Sequence, residues 1–333
     1  MVTMKDVATH CGVSVSLVSK AINGYDDIKP DTKQKILDSI EALGYVPNAS
    51  ASSLSTKRKN KIAVIVRGYR GNGRDLFIDE ISMIYSTTTF KRAIEKNIDV
   101  VILYDDIILG KTSNQIESHL KSLGITGVIM FGLNKHEDEL YNLFKSNSFK
   151  KVIIDVPIYN LSTSSVSIDD VKAQIEVLEK SVKDEHKKLL YLSGPEEDIT
   201  SSQRILGFNY YAKNNDKEVI IKNCNYELKN AKDYILQSDP NSYDAVICAN
   251  DMMAVGASLA LDVIGQNKLV TGFDGINVLN LIQKDIPTID QNFHTKAILA
   301  VDELLSLFDG NDSKLILDTY TYLPSIHTSR NKL

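Results

Sequence analysis

The chain has 333 residues, 43% of them hydrophobic, a formal net charge of −5 and three cysteines. That length suits a small unit followed by a large body with a sizeable core, and no apolar run of about 18 residues marks a membrane span. Cys11, Cys224 and Cys248 are odd in number and far apart, which argues against a disulfide framework or a metal cluster and for buried reduced thiols.

In chain order, the first feature is a pair of short helices. Thr3 and Asp6 form a capping box, Val7 and Ala8 supply a buried side, and Gly12 provides the turn. Ser14 can cap a second helix on which Val18 and Ile22 face inward. Val15, Ser16 and Lys20 then project outward, where small polar and basic groups reach base edges in a major groove. The alternative is an ordinary helical hairpin. Pro30 starts a third helix with Ile36, Ile40 and Leu43 at core spacing, closed by Gly44.

Residues 46–60 are small and polar and run into Lys57, Arg58 and Lys59. They read as a linker, too poor in apolar residues to fold alone. Leu54 is its only bulky aliphatic side chain after Val46. It reads either as a minor-groove wedge or as a stray leucine on a solvated tether. Residues 1–61 hold nine basic and six acidic side chains, about +3, against about −8 for the rest. Phosphate contact is therefore expected at this head, and so small a charge suggests two heads acting together.

The body alternates apolar strands with helices. Strands are predicted at 62–66, 99–104, 127–131, 152–155, 188–192, 219–221, 245–248 and 269–273, four before and four after the polar stretch 159–165. Near-continuous apolar strands imply parallel sheets covered on both faces. The expectation is a small all-α helix-turn-helix head plus an α/β body of two doubly wound parallel-sheet subdomains. Ligands of such sheets bind beyond the carboxyl ends of the strands. That selects Arg67 and Tyr69, Tyr104 and Asp105, Asp155, the segment leading to Arg204, Asn250 and Asp274.

The head, Leu43-Gly44-Tyr45-Val46-Pro47-Asn48, Arg204-Ile205-Leu206-Gly207-Phe208, Ala249-Asn250-Asp251-Met252-Met253-Ala254-Val255-Gly256, Gly272-Phe273-Asp274 and the ending 323–330 together resemble the lac repressor/galactose repressor (LacI/GalR) family of bacterial transcription regulators. The resemblance runs nearly end to end and implies a body of periplasmic-binding-protein type. It implies a head at 1–45, a hinge at 46–60, and a body at 61–333. The N-subdomain would span about 61–160 and 292–320, and the C-subdomain about 161–291 and 321–333. It further implies base contacts from Val15, Ser16, Lys20 and Leu54, and backbone contacts from Thr3, Ser14, Ser19, Asn23, Thr32, Tyr45 and Asn48. Lys29, where relatives carry a capping Ser, still suits a phosphate. In the cleft, Asp155, Arg204, Asn250 and Asp274 would hold an effector's polar groups. Tyr226 and Phe293 would stack on it; Tyr69 is a further candidate from the strand-end rule alone. A guanidinium fork, carboxylates and an amide match the hydroxyls of a sugar. Each also has a plainer role: Asp155 and Asp274 as turn caps, Arg204 paired within its own domain, Asn250 capping the next helix.

The resemblance has departures. Lys20 replaces an Arg, which loses the bidentate fork on guanine. Leu17 replaces a Thr, and 67–79 lacks the family's Asn-Pro-Phe-Phe signature. No leucine-heptad tail follows the body, which favours a homodimer over a tetramer.

Enzymatic patterns fail on inspection. Gly110-Lys111-Thr112 lacks the earlier glycine of a phosphate loop, which is Asp105 here, and Gly71-Asn72-Gly73 lacks a third glycine. The six histidines show no metal spacing, and Asp105-Asp106 and Asp169-Asp170 read as starts of turns or helices. The sequence therefore predicts a regulator that is no enzyme and needs no cofactor or metal. It would bind operator DNA and a small-molecule effector, with a protein corepressor left open. Lys5, Asp6 and His10 stand where a signal peptide needs an apolar stretch, so a cytoplasmic location is expected. The rival expectation is a cytoplasmic sugar-binding module with no DNA role.

Overall fold

The computed structural model describes residues 2–22, 25, 28–45, 60–66, 69–70, 76–77, 80–104, 110–131, 138–282 and 284–325. The chain divides into two units, 1–59 and 60–333.

Among the described residues, the first unit has three helices, α1 (Met4–Cys11), α2 (Val15–Ile22) and α3 (Pro30–Leu43). The Thr3–Asp6 capping box forms in both directions, and Gly12 takes the left-handed conformation (φ 68°) that lets the chain turn into α2. Val7, Val18 and Ile36 are fully buried and form the core with Ala8, Cys11, Ala21, Ile28 and Tyr45.

The second unit contains two parallel sheets. Its strands are β1 (Lys61–Val66), β2 (Tyr69–Arg70), β3 (Leu76–Phe77), β4 (Asp99–Tyr104), β5 (Gly127–Phe131), β6 (Lys150–Ile154), β7 (Thr163–Ser167), β8 (Lys188–Ser193), β9 (Glu218–Asn223), β10 (Ala245–Cys248), β11 (Leu269–Thr271), β12 (Thr288–Asp290), β13 (Leu315–Leu317) and β14 (Thr321–Leu323). Its helices are α4 (Glu80–Glu95), α5 (Ser113–Ser122), α6 (Asp138–Lys145), α7 (Asp170–Ser181), α8 (Ile199–Asn214), α9 (Leu228–Gln237), α10 (Asp251–Val263) and α11 (Phe293–Phe308). One sheet has the order β13-β7-β6-β5-β1-β4 and the other β11-β10-β8-β9, every pair parallel. Buried aliphatic strands explain this: both faces must be covered, and crossover helices cover them.

The polar stretch 159–165 does not separate the subdomains. It contains the start of β7, a fully buried strand paired with β6, so the first crossover falls after Ser167 rather than at 160. Thr-Ser-Ser-Val-Ser is too polar to read as a core strand, yet three of its hydroxyls find acceptors elsewhere in the fold. Thr163 donates to the Phe144 carbonyl (2.7 Å), Ser164 to Glu303 (2.7 Å) and Ser165 to the Val156 carbonyl (2.5 Å). The chain returns to the first sheet after β12 through α11 and leaves it again after β13, because β14 pairs antiparallel with β12. Helix α11 is clamped to α4 by Arg92, whose Nε and Nη2 bond both oxygens of Asp302 at 2.9 and 2.7 Å.

Candidate functional site

Two surfaces carry the expected chemistry. On the head, Val15, Ser16 and Lys20 are exposed along one face of α2, opposite the buried Val18 and Ala21. Ser14 accepts from the Leu17 amide at 3.2 Å and exchanges a hydrogen bond with Ser16. Thr3 and Lys29 are exposed, and Ser19 and Thr32 half-buried. Lys29 precedes α3 with no side-chain cap bond. Tyr45 is only 8% exposed and belongs to the core of the head, which leaves little of it for a phosphate. Asn23, Asn48 and Leu54 lie outside the described residues.

The second surface lies between the sheets, beyond the carboxyl ends of their strands, as doubly wound topology requires. Asp155 follows β6 and Asp274 follows β11. Arg204 projects from the first turns of α8, and Asn250 caps α10 by accepting the Met253 amide at 2.9 Å. A single polar chain connects most of these groups. Arg204 donates through Nε to Asp170 (2.8 Å), and through Nη1 to the Ala249 carbonyl (2.6 Å) and Asp274 (3.4 Å). Gln291 donates to the same Asp274 oxygen at 2.6 Å and accepts from Lys296 at 2.9 Å. Lys296 also donates to Asp155 at 2.5 Å, while Tyr85 donates to the other Asp155 oxygen at 2.8 Å. Thr200 closes the arrangement by donating to the Asp155 carbonyl across the two sheets (3.1 Å).

Tyr226 stands close by. The Asn250 amide donates to its carbonyl at 3.2 Å, and its own hydroxyl donates to Asp198 at 3.1 Å. Phe293 opens α11, packed edge-on to Tyr85 at 5.4 Å and 6% exposed, so its ring belongs to the core of the first subdomain. Tyr69 pairs with Phe77 across the two-stranded β2–β3 ribbon. Arg67 and Asp105 lie outside the described residues.

The electrostatics follow from burial. Arg204 is 4% exposed and stacks over Phe273, 3.8 Å from the ring centroid. Burial opposes its charge, but Asp170 and Asp274 outweigh that penalty and its pKa is raised. Asp274 is pushed up to about 7, mainly by burial, with Arg204 and Gln291 pulling the other way. Burial likewise raises Asp170 and Asp251. Asp155, Tyr226 and Asp274 all adopt positive φ (65°, 60° and 126°). Such backbone costs of order 1–3 kcal/mol per residue and persists where surrounding structure fixes it, commonly at binding sites.

The motif glycines now have physical causes. A Cβ on Gly272 would collide with the Asp251 carboxylate, and one on Gly256 with the Leu228 carbonyl. Asp251 holds the 272–288 region by accepting from the Ile276 amide (2.9 Å) and the Thr288 hydroxyl (2.6 Å).

Tyr85, Asp170, Gln291 and Lys296 were missed by sequence reasoning. Lys296 had a usable signal: Phe293, Lys296, Ala297, Ala300, Val301 and Leu304 fall on one helical face, so a lysine there is buried and needs an acceptor. Asp169-Asp170 does start a helix: Asp169 accepts the Lys172 amide at 3.0 Å, which leaves Asp170 for Arg204. The three cysteines are buried and free. Among the described residues no group of three or more His, Cys, Asp or Glu could hold a metal ion, and no helix is long and apolar enough to cross a membrane.

Comparison with known proteins matches both parts of the chain. Residues 3–48 match "Bacterial regulatory proteins, lacI family", and residues 87–304 match "Periplasmic binding proteins and sugar binding domain of LacI family". The chain is 25% identical to the "Probable HTH-type transcriptional repressor ExuR" of Bacillus subtilis (strain 168), with 94% of each chain covered. It is 29% identical to the "HTH-type transcriptional regulator MalR" of Clostridium butyricum, over 95% of this chain and 96% of that one. Its fold is similar to that of the Lac repressor bound to ONPG in the repressed state, with a TM-score of 0.80 and 21% identity, covering 98% of this chain and 99% of that one. With a helix-turn-helix match at one end and a sugar-binding-domain match over more than half its length, the chain belongs to the lacI family of bacterial regulatory proteins.

Proposed function

We propose that this protein is a cytoplasmic, homodimeric transcriptional repressor whose operator affinity is set by a sugar or sugar derivative bound between the two sheets of the body. The observation that carries the effector reading is the buried Arg204–Asp274 pair, 3.4 Å apart, with Asn250 on the next strand end. A guanidinium, a carboxylate and an amide held in fixed geometry suit alternating hydroxyl donors and acceptors, and Tyr226 offers a ring nearby. Asp155 contributes differently. Both of its carboxylate oxygens are engaged by Lys296 and Tyr85, so its role is to hold the first subdomain's side of the site.

On the head, exposed Val15, Ser16 and Lys20 would read bases. Thr3, Ser14, Ser19, Lys29 and Thr32 would meet phosphates, joined by Asn23, Asn48 and the Leu54 wedge. A second copy is the partner that the body's surface suits. Met83, Phe90 and Ile94 form an exposed apolar stripe on α4 at spacings of seven and four, and Leu259 and Val263 form another on α10.

The direct test selects duplexes from a random pool with the purified full chain, then measures affinity with and without each sugar that shifts its melting temperature. Arg204→Lys is expected to select the same duplex and lose at least about tenfold in sugar affinity, since a lysine cannot span Asp170 and Asp274 as the fork does. Selection of no duplex by the parent protein overturns the regulator reading. An unchanged sugar response in the variant removes Arg204 from the site.

A further inference from the structure

Lys296 is fully buried, on a helix face made of core side chains apart from itself and Glu303, yet it carries an ammonium group. Its two acceptors belong to different parts of the body. Asp155, at 2.5 Å, lies at the end of β6, and Gln291, at 2.9 Å, lies at the crossover between β12 and α11. The ammonium is walled by Phe293 and Tyr85, at 4.9 and 5.7 Å from their centroids. Gln291 spends its other end on Asp274, and Asp155 spends its second oxygen on Tyr85. If Gln291 follows Asp274 away, the ammonium keeps one acceptor inside an apolar pocket, which is strongly unfavourable. The amide, the ammonium and the carboxylate therefore shift together.

We propose that Lys296, with Gln291, is a positioning residue that couples the effector carboxylate Asp274 to helix α4 through Asp155 and Tyr85. This rests on the effector reading given above. Tyr85 is on the buried side of α4, whose outer side bears Met83, Phe90 and Ile94. A displacement delivered to Tyr85 thus reaches the stripe assigned to the second copy, and packed elements convert small shifts into alternative arrangements. Arg92–Asp302 and the Thr88–His294 bond (2.8 Å) already make α4 and α11 one rigid layer, so the displacement is not absorbed between them.

The test is a set of coupling cycles on operator affinity. Gln291→Leu, Tyr85→Phe and the double variant are made in full-length protein with Lys296 and again with Lys296→Met. Dissociation constants are measured for the duplex that the parent selects from a random pool. The two substitutions are expected to be non-additive by about threefold or more when Lys296 is present, and additive within about twofold when it is methionine. Additive effects in both backgrounds, or equal non-additivity in both, overturn the proposal, because a merely structural lysine would weaken all four proteins alike. Lys296→Met leaves Asp155 without its ammonium, so Lys296→Met/Asp155→Asn supplies a second background that keeps an acceptor for Tyr85 and is expected to give the same additivity. Should the parent select no duplex, the regulator reading itself fails and the coupling with it, an outcome distinct from additivity on a selected duplex.

Discussion

Asp274 concentrates the chemistry of the site at the scale of one residue. Its carboxyl is buried beside Arg204 and Gln291 and titrates near 7, whereas an unfolded aspartate titrates near 3.9 (roughly). Between those values the folded protein holds a proton that the unfolded chain has released. Stability contributed by this group therefore falls as pH rises from about 4 to about 7 and levels off above. Asp274→Asn is expected to flatten that part of a urea-denaturation pH series, leaving a residual slope of the same sign from Asp170 and Asp251, whose pKa values are also raised. An unchanged slope would place the proton elsewhere. Gly272 makes a second test. An alanine there drives its Cβ into the Asp251 carboxylate, and overpacking of this kind costs about 1–3 kcal/mol. A shift of the denaturation midpoint without a change in slope would register it.

Among elements, β7 shows how polar residues form a buried strand. Ser164 donates to Glu303 and accepts the Lys314 amide at 3.0 Å, so it joins β7, α11 and the entry to β13. Valine has the higher strand propensity. Ser164→Val should nonetheless destabilise the body by about 1–3 kcal/mol, because Glu303 is left buried with one bond fewer. Calorimetry of the full chain would decide, and a stabilised variant would mean that propensity outweighs the lost bonds. Helix α11 works on the same principle. Its inward face admits Lys296 and Glu303 only because Asp155, Gln291, Ser164 and Lys314 supply partners.

For the whole molecule, the head's charge of about +3 is small for tight operator binding, which is a reason to test the proposed pairing of heads. Phe90→Glu places a carboxylate in the apolar stripe of α4. It is expected to give monomers by sedimentation at micromolar concentration and to weaken operator binding by at least about tenfold, since two linked heads gain from effective concentration. A dimeric Phe90→Glu protein with unchanged affinity would put the interface on another face.

The helical head, the alternation of strands and helices, and the positions of Arg204, Asn250 and Asp274 near the strand ends could be read from sequence, because they depend on periodicity, caps and motif glycines set within a few residues. What periodicity could not supply was decided by tertiary contact. The polar stretch 159–165 reads as a break between two sets of strands because the hydroxyl partners that let Thr163–Ser167 form a strand lie far along the chain, up to Glu303. Nothing near Asp155 in sequence announces Lys296, 141 residues away, which engages one of its carboxylate oxygens. Local spacing fixes which backbone shape a segment prefers. Which buried charge meets which is settled only when distant elements pack, since a desolvated ion takes the nearest partner that the fold brings to it.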